Sequence, residues 1–239
     1  MLQAGKTGRA KTIGLAALLN KRYAYLDGLP EWVERAFGRL VKNFVLIVWA
    51  RSGSGKSTLV YKLTAELMKY GNVLYLSLEE GVEATAQIKA IKHLNKEEHG
   101  GKILFANHEM TYDQTVKLLG KRKSPQFVVI DSVQYWDINY AKYKELKALF
   151  PQKGFVFISH SRGKNCDGHT AEKIRYDSGI KVYMEGFVAF IKSRYLEDVE
   201  RVYVMHEQGA REYWGKKYKH IVKDKKKVVY DKNYSGSGA

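Results

Sequence analysis

The chain has 239 residues, so at roughly 100–200 residues per domain it is one domain with appendages, large enough to bury a core without staples. Hydrophobic residues make up 45 % and charged residues 28 %, which excludes wholesale disorder. A lone cysteine, Cys166, excludes an internal disulfide and a multi-cysteine zinc site and fits a reducing compartment. The net charge is +16, and it is concentrated at the ends. Residues 1–22 hold Lys6, Arg9, Lys11, Lys21 and Arg22 and no acids, and residues 216–239 hold eight lysines against Asp224 and Asp231. Basic ends around a moderately charged body suit a polyanion such as nucleic acid, because each neutralised phosphate releases a counterion. The plainer explanation is lysine-rich solubility.

Residues 1–28 read as a basic extension. Its apolar stretch, Ile13 to Leu19, mimics a secretory signal, but Asn20-Lys21-Arg22 stands where small cleavage-site residues belong. It therefore reads as an amphipathic or disordered leader of a cytoplasmic protein. No span of the chain approaches the ~20 apolar residues a membrane helix needs.

The core runs from residue 29 to 214. Pro30 opens a helix over Glu31 to Gly38. Phe44 to Trp49 is a continuous apolar run, the pattern of a strand buried on both faces. After a polar loop, apolar residues at helical spacing mark a helix from Ser57 to Tyr70. Val73 to Leu78 is a strand, Val82 to Leu94 a helix and Ile103 to Ala106 a short strand. Thr111 or Asp113 caps a helix running to Leu119. Phe127 to Ile130 is a strand ending at Asp131, Asn139 to Phe150 a helix and Phe155 to Ile158 a strand. This alternation predicts an α/β fold with a mostly parallel sheet flanked by helices on both faces.

From about Ile180 the pattern changes to short strands: Lys181 to Glu185, Phe187 to Lys192, Arg201 to His206, Lys219 to Val222 and Val228 to Tyr230. Glu185-Gly186 and Asp224-Lys-Lys read as hairpin turns, which predicts an antiparallel C-terminal β extension. Residues 215–239 are expected to form a basic hairpin with a flexible Ser235-Gly-Ser-Gly-Ala239 end.

The segment with the clearest chemistry is Ala50-Arg51-Ser52-Gly53-Ser54-Gly55-Lys56-Ser57, with Thr58 following. Glycines let successive backbone N–H groups turn toward one anion, and the next helix begins with its unpaired N–H groups facing the same point. Lys56 is placed to reach the outer phosphates and Ser57 to offer its hydroxyl to Mg²⁺. Ala50 occupies the first glycine position of the strict pattern. Three strand ends complete the expected site. Asp131 can hold Mg²⁺ through water. Glu79, with Glu80 as the alternative, can orient and deprotonate an attacking water. His160 can sense the γ-phosphate and the loop beyond it, against the competing reading of a buried structural histidine.

These segments together resemble the RecA-like ATPases, and within them the RadA (Sms) and DnaB-helicase branches, from about Glu31 to Trp214. The resemblance rests on Glu31-Trp-Val-Glu-Arg-Ala-Phe-Gly-Arg-Leu-Val, the phosphate loop, Gly71-Asn-Val-Leu-Tyr-Leu-Ser-Leu-Glu-Glu80, Val128-Val-Ile-Asp-Ser-Val-Gln134 and Ile191-Lys-Ser-Arg-Tyr195. It implies ATP and Mg²⁺ as ligands, with Lys56, Ser57 and Asp131 in the roles just given and Glu79 as the catalytic carboxylate. It also implies that Lys192 and Arg194 act as fingers on a neighbouring subunit's nucleotide, hence a homo-oligomeric ring or filament. The loop Ser161 to Ile174, with Arg162, Lys164, Lys173 and Arg175 nearby, would approach single-stranded DNA and move with nucleotide state.

A RadA-like zinc finger would need four cysteines and only Cys166 exists, a protease-like C-terminal domain is not found in the sequence, and Leu196 replaces a glycine after the basic stretch. The expectation is a minimal motor core of the phage or mobile-element type, working in the cytoplasm of a bacterial or phage-infected cell, alone or with other replication or recombination proteins. Two alternatives remain: a nucleotide-dependent assembly or regulatory protein with little turnover, and a small-molecule kinase, for which no arginine-rich lid is visible.

Overall fold

A computed structural model describes residues 12–231. The expectations for Lys6, Arg9 and Lys11 and for the Ser235–Ala239 end lie outside these residues. The chain opens with α1 (Leu15–Leu19), whose leucines are exposed. α2 (Glu31–Phe37) follows Pro30 and buries Val33, Ala36 and Phe37. Then come β1 (Val45–Ala50), α3 (Lys56–Leu67), β2 (Val73–Ser77), α4 (Ala84–His93), α5 (Lys96–His99) and β3 (Ile103–Ala106). α6 (Tyr112–Leu119) starts in a capping box in which Thr111 and Gln114 each satisfy the other's backbone N–H. β4 (Phe127–Asp131) and a short 3-10 turn lead to α7 (Tyr140–Leu149), capped by Asn139. The rest is β5 (Gly154–Arg162), β6 (Asn165–Cys166), α8 (His169–Asp177), β7 (Ile180–Glu185), β8 (Val188–Ser193), β9 (Glu200–Val204), α9 (Glu207–Trp214), α10 (Tyr218–Ile221) and β10 (Val228–Tyr230).

One sheet holds these strands in the order β10-β9-β8-β7-β1-β5-β4-β2-β3, with β6 folded back antiparallel on the tip of β5. From β3 to β7 every pair is parallel. β8 and β9 then add antiparallel, as the short-strand pattern predicted. The parallel strands β1 and β2 are buried along their whole length, which is why they read as unbroken apolar runs. Successive residues point to opposite faces, so Leu46 and Val48 pack with α2 and α3 while Ile47 and Trp49 pack with the layer of α6, α7 and α8. A third, smaller cluster under α9 and α10 joins Val188, Val204, Ala210, Tyr218 and Val228.

Three local expectations are corrected. Lys219 to Val222 is not a strand: Tyr218–Ile221 is helical, because Tyr218 and Ile221 bury against the third cluster while Lys219 and His220 face solvent. Asp224-Lys-Lys is not a hairpin turn: β10 pairs parallel with β9, at Val228↔Val202, after the α9–α10 crossover. Ser161 to Ile174 is not a mobile loop. It is the β5–β6 turn followed by α8, whose Ala171 and Ile174 are buried in the second core.

Candidate active site

The geometry of a parallel sheet puts the ends of β1, β2, β4 and β5 on one rim, where open α/β sheets bind ligands. Ala50 pairs with His160, and Ser77 pairs with Asp131. The phosphate loop leaves β1 at this rim and α3 begins at Lys56. Gly53 and Gly55 have φ of 74° and 88°, the left-handed region that a side chain disfavours. Gly55 is the N-cap of α3 and no side chain caps the helix, so its first N–H groups are left for a ligand.

Lys56 folds back over the loop, donating from Nζ to the Ala50 carbonyl at 3.2 Å and to the Arg51 carbonyl at 3.1 Å. Burial holds its ammonium below the usual lysine range, and the charges of Glu79 and Asp131 push the other way. The two acidic residues adjoin each other at the rim, where the Glu79 N–H donates to the Asp131 carbonyl at 3.1 Å, and Lys56 at the start of α3 lies within reach of both charges. Arg51, Ser52 and Gly53 are exposed on the outer loop, while Ser54, Ser57 and Thr58 are half-buried within it.

Asp131 accepts a hydrogen bond from the Tyr75 hydroxyl at 2.8 Å, and its own carbonyl accepts from the N–H groups of Leu78 and Glu79. Burial pushes its carboxyl up to about 6, opposed in part by the Tyr75 hydrogen bond. A folded-state value above the unfolded 3.8 means the proton costs nothing to keep below pH ~4, and stability is lost as pH rises through 6. At pH 8 the ionised group costs about 2–3 kcal/mol in the ligand-free chain. Asp131→Asn, which keeps an acceptor for Tyr75, is expected to raise stability by about 2 kcal/mol at pH 8 and by nothing at pH 4. Urea unfolding at the two pH values checks this, and equal stability of both chains at pH 8 counts against it.

Glu79 and Glu80 separate cleanly. Glu80 is paired with Lys89 on α4. Glu79 Oε2 lies 2.9 Å from His160 Nε2, with both side chains about one-third exposed. His160 is also rooted in the β5–β6 segment. Its N–H donates to Gln134 Oε1 at 3.2 Å, and its carbonyl accepts from the Asp167 N–H at 2.9 Å. Gln134 in turn donates to the Ser159 hydroxyl and to the Asp167 carbonyl. Tyr75 and Gln134 are the two contributors that reading the sequence missed. The available signal for Tyr75 was a hydroxyl in the middle of a buried strand, which needs a partner.

The residues fit a nucleotide with Mg²⁺. A desolvated carboxylate beside a desolvated lysine, at a helix start with free N–H groups, suits a phosphate-bound cation. No group of three or more His, Cys, Asp or Glu among the described residues could hold a metal alone. Mg²⁺ takes one or two protein ligands and completes its shell from phosphates and water, and Ser57 and Asp131 are the residues that would supply them.

The other predicted residues lie elsewhere. β8 runs opposite to β7, so Lys192 pairs with Lys181 and Ser193 with Ile180, the first residues of β7. These are level with Ile47 and Leu46 of β1. Arg194, whose N–H donates to the Gly179 carbonyl at 3.0 Å, therefore sits at the amino rim. At about 3.3 Å per residue it is about 16 Å from the end of β1 along the sheet. Lys192 is exposed and paired with Glu200 at 2.7 Å. Arg162 is exposed at the β5–β6 tip. Lys173 lies over the Tyr140 ring, and Arg175 pairs with Glu172 and lies over the Trp49 ring. Arg175 and Lys164 flank one cleft, and Lys173 is not part of it.

No family model matches the chain. Over 97 residues it is 32 % identical to the DNA repair protein RadA of Streptococcus pneumoniae (strain ATCC BAA-255 / R6), a match that takes in 41 % of this chain. The chain spans only 22 % of the length of that curated relative. Among solved structures it is similar to the flagellar accessory protein FlaH of Methanocaldococcus jannaschii, with a TM-score of 0.53, 16 % identity and coverage of 76 % of this chain and 94 % of that one. It is also similar to a KaiC-like protein of Pyrococcus horikoshii OT3, with a TM-score of 0.51, 15 % identity and coverage of 75 % and 90 %. At these identities the likeness establishes the fold. Among the described residues no helix is long and apolar enough to cross a membrane.

Proposed function

We propose that this chain, which has the RecA-like P-loop ATPase fold, binds ATP with Mg²⁺ at the β1–α3 loop and hydrolyses it between copies of itself in a cycle coupled to single-stranded DNA. The observation that carries the reading is the Glu79–His160 hydrogen bond on the rim beside Lys56 and Asp131. It puts a carboxylate beside the phosphate cradle and ties it to the segment carrying Arg162 and Lys164.

Lys56 neutralises the outer phosphates once it leaves the Ala50 and Arg51 carbonyls, and Ser57 and Asp131 hold the cation. Mg²⁺ supplies charge neutralisation of the phosphoryl oxygens. Glu79 orients the attacking water and accepts its proton. Arg194 is on the wrong rim to reach its own nucleotide, so it serves a neighbour in a head-to-tail assembly. Lys192, on the same strand, is the second candidate for that task.

A second reading, assembly driven by nucleotide with little turnover, is favoured by the same hydrogen bond, which engages Glu79 with His160 rather than leaving it free to act as base. The two readings differ in what single-stranded DNA does. If the strand pulls the β5–β6 segment and His160 away from Glu79, turnover rises when DNA is added and the rise shrinks with salt. Steady-state ATP hydrolysis, with and without an oligo-dT strand across a salt series, is the test. Lys56→Ala serves as the blank. Turnover that stays negligible with DNA, alongside nucleotide-dependent assembly, establishes the second reading instead. Phosphorylation of a small acceptor would overturn both. The biological step remains assigned to recombination, repair or replication, in line with the RadA likeness.

A further inference from the structure

On the opposite side of β1 from α3 lies a cleft of about 780 Å³, separate from the phosphate loop, whose lining includes Lys164, Arg175 and Lys192. Its floor is the face of β1, β7 and β8 that carries Trp49, Tyr183 and Phe190. Tyr183 and Phe190 stack with centroids 6.1 Å apart and are only half-buried, although they lie in the middle of a ten-stranded sheet. One wall is the β5–β6 turn and α8; the other is the segment from α10 to β10.

The walls are cationic. Lys164, Lys181, Lys223 and Lys227 line the cleft, and none of these side chains has an ion pair or hydrogen-bond partner among the described residues. Lys181 rises from the floor, and burial first, then the charges of Arg194, Arg175 and Lys192, hold its ammonium below the usual range against the opposing charge of Asp177. Glu200 and Asp224 are the acids in the lining, and Glu200 is already paired with Lys192. A surplus of unpaired cations around aromatic faces lacks an anion with a flat, stackable body.

We propose that this cleft is the track of a single strand of nucleic acid, with bases against Tyr183 and Phe190 and phosphates along Lys164, Lys181 and Lys227. The proposal deepens the nucleic-acid part of the reading above and rests on it. A strand fits better than one small anion because the cations are strung along the cleft, from the β5–β6 turn to the segment leading into β10, instead of converging on a nest of backbone N–H groups. A duplex hides its base faces, whereas stacking on half-exposed rings needs unpaired bases and tolerates any sequence. The cleft is also wired to the phosphate loop. Trp49 donates from Nε1 to the Lys164 carbonyl at 2.9 Å and directly precedes Ala50, whose carbonyl holds Lys56.

The test is fluorescence anisotropy of a labelled oligo-dT strand across a salt series. Lys181→Gln combined with Lys227→Gln is expected to weaken binding on the order of tenfold and to reduce the log–log salt slope by about 1.4, at about 0.7 per lost contact with a single strand. Phe190→Leu keeps apolar volume and removes the ring; it is expected to weaken binding on the order of tenfold with the slope unchanged. Lys121→Gln combined with Lys123→Gln removes the same charge from an exposed turn after α6 and should leave both readings where they were. If the cleft variant behaves like this control, or if Arg162→Gln with Lys173→Gln carries the whole loss, the track is elsewhere and the proposal falls while DNA binding stands. If the wild-type chain binds no strand at low salt, the nucleic-acid reading falls with it.

Discussion

Glu79→Gln is expected to lower ATP turnover on the order of a thousandfold while nucleotide affinity and stability stay at wild-type values. General-base catalysis contributes about 10²–10⁴-fold, and glutamine keeps the shape and the acceptor that meets His160 but cannot take a proton. Affinity is preserved because Glu79 is a carboxylate near a polyanionic ligand: losing its charge removes repulsion, not attraction. Stability is preserved because the side chain is about one-third exposed and the His160 hydrogen bond survives. Glu80→Gln is the internal comparison. It breaks the pair with Lys89, a partly exposed ion pair worth at most about 1 kcal/mol, and leaves turnover intact. Near-normal hydrolysis by Glu79→Gln with loss in Glu80→Gln would reverse the assignment; single-turnover measurements at saturating ATP separate chemistry from binding.

Arg194→Ala is expected to reduce hydrolysis by a similar or larger factor, since a finger supplied across an interface is worth about 10³–10⁵-fold. Its distinguishing property is complementation. A subunit bearing Glu79→Gln keeps Arg194, and a subunit bearing Arg194→Ala keeps Glu79. Neither hydrolyses among its own kind, but a mixed assembly contains interfaces where an intact Glu79 faces an intact Arg194. Mixing the two inactive proteins should therefore restore part of the activity. A mixture as inactive as its components, under conditions where the copies assemble, would remove Arg194 from the reaction. Acting in cis is excluded by strand direction, because β8 carries the arginine to the amino rim while the phosphate loop leaves from the carboxyl rim.

Much of this was legible in the sequence because it is local. The parallel strands are apolar runs, the phosphate loop is contiguous, Asp131 ends β4 and Glu79 lies two residues beyond the end of β2. The β3, β4 and α7 expectations match the observed bounds to within a residue at each end. What was not legible depends on distant partners. The pairing of His160 with Glu79 joins residues 81 apart. Residues up to Ile174 read as a loop in sequence because only Ala171 and Ile174 of the α8 face are buried, too few to show a helical period against six charged or polar neighbours. Lys219 to Val222 looks like a strand in sequence because Ile221-Val222 is a short apolar pair; what makes it helical is Tyr218 joining the cluster of Val188 and Val228, on strands laid down elsewhere in the chain. The cleft could not be foreseen at all, since Trp49, Phe190 and Lys227 become neighbours only through the sheet order.

The pairing of Lys62 with Asp231 joins the middle of α3 to the last described residue, whose backbone N–H also donates to the Val204 carbonyl and whose carboxylate is almost fully buried. α3 is the helix that starts inside the phosphate loop. A load on Asp231 therefore reaches the same rod that cradles the nucleotide.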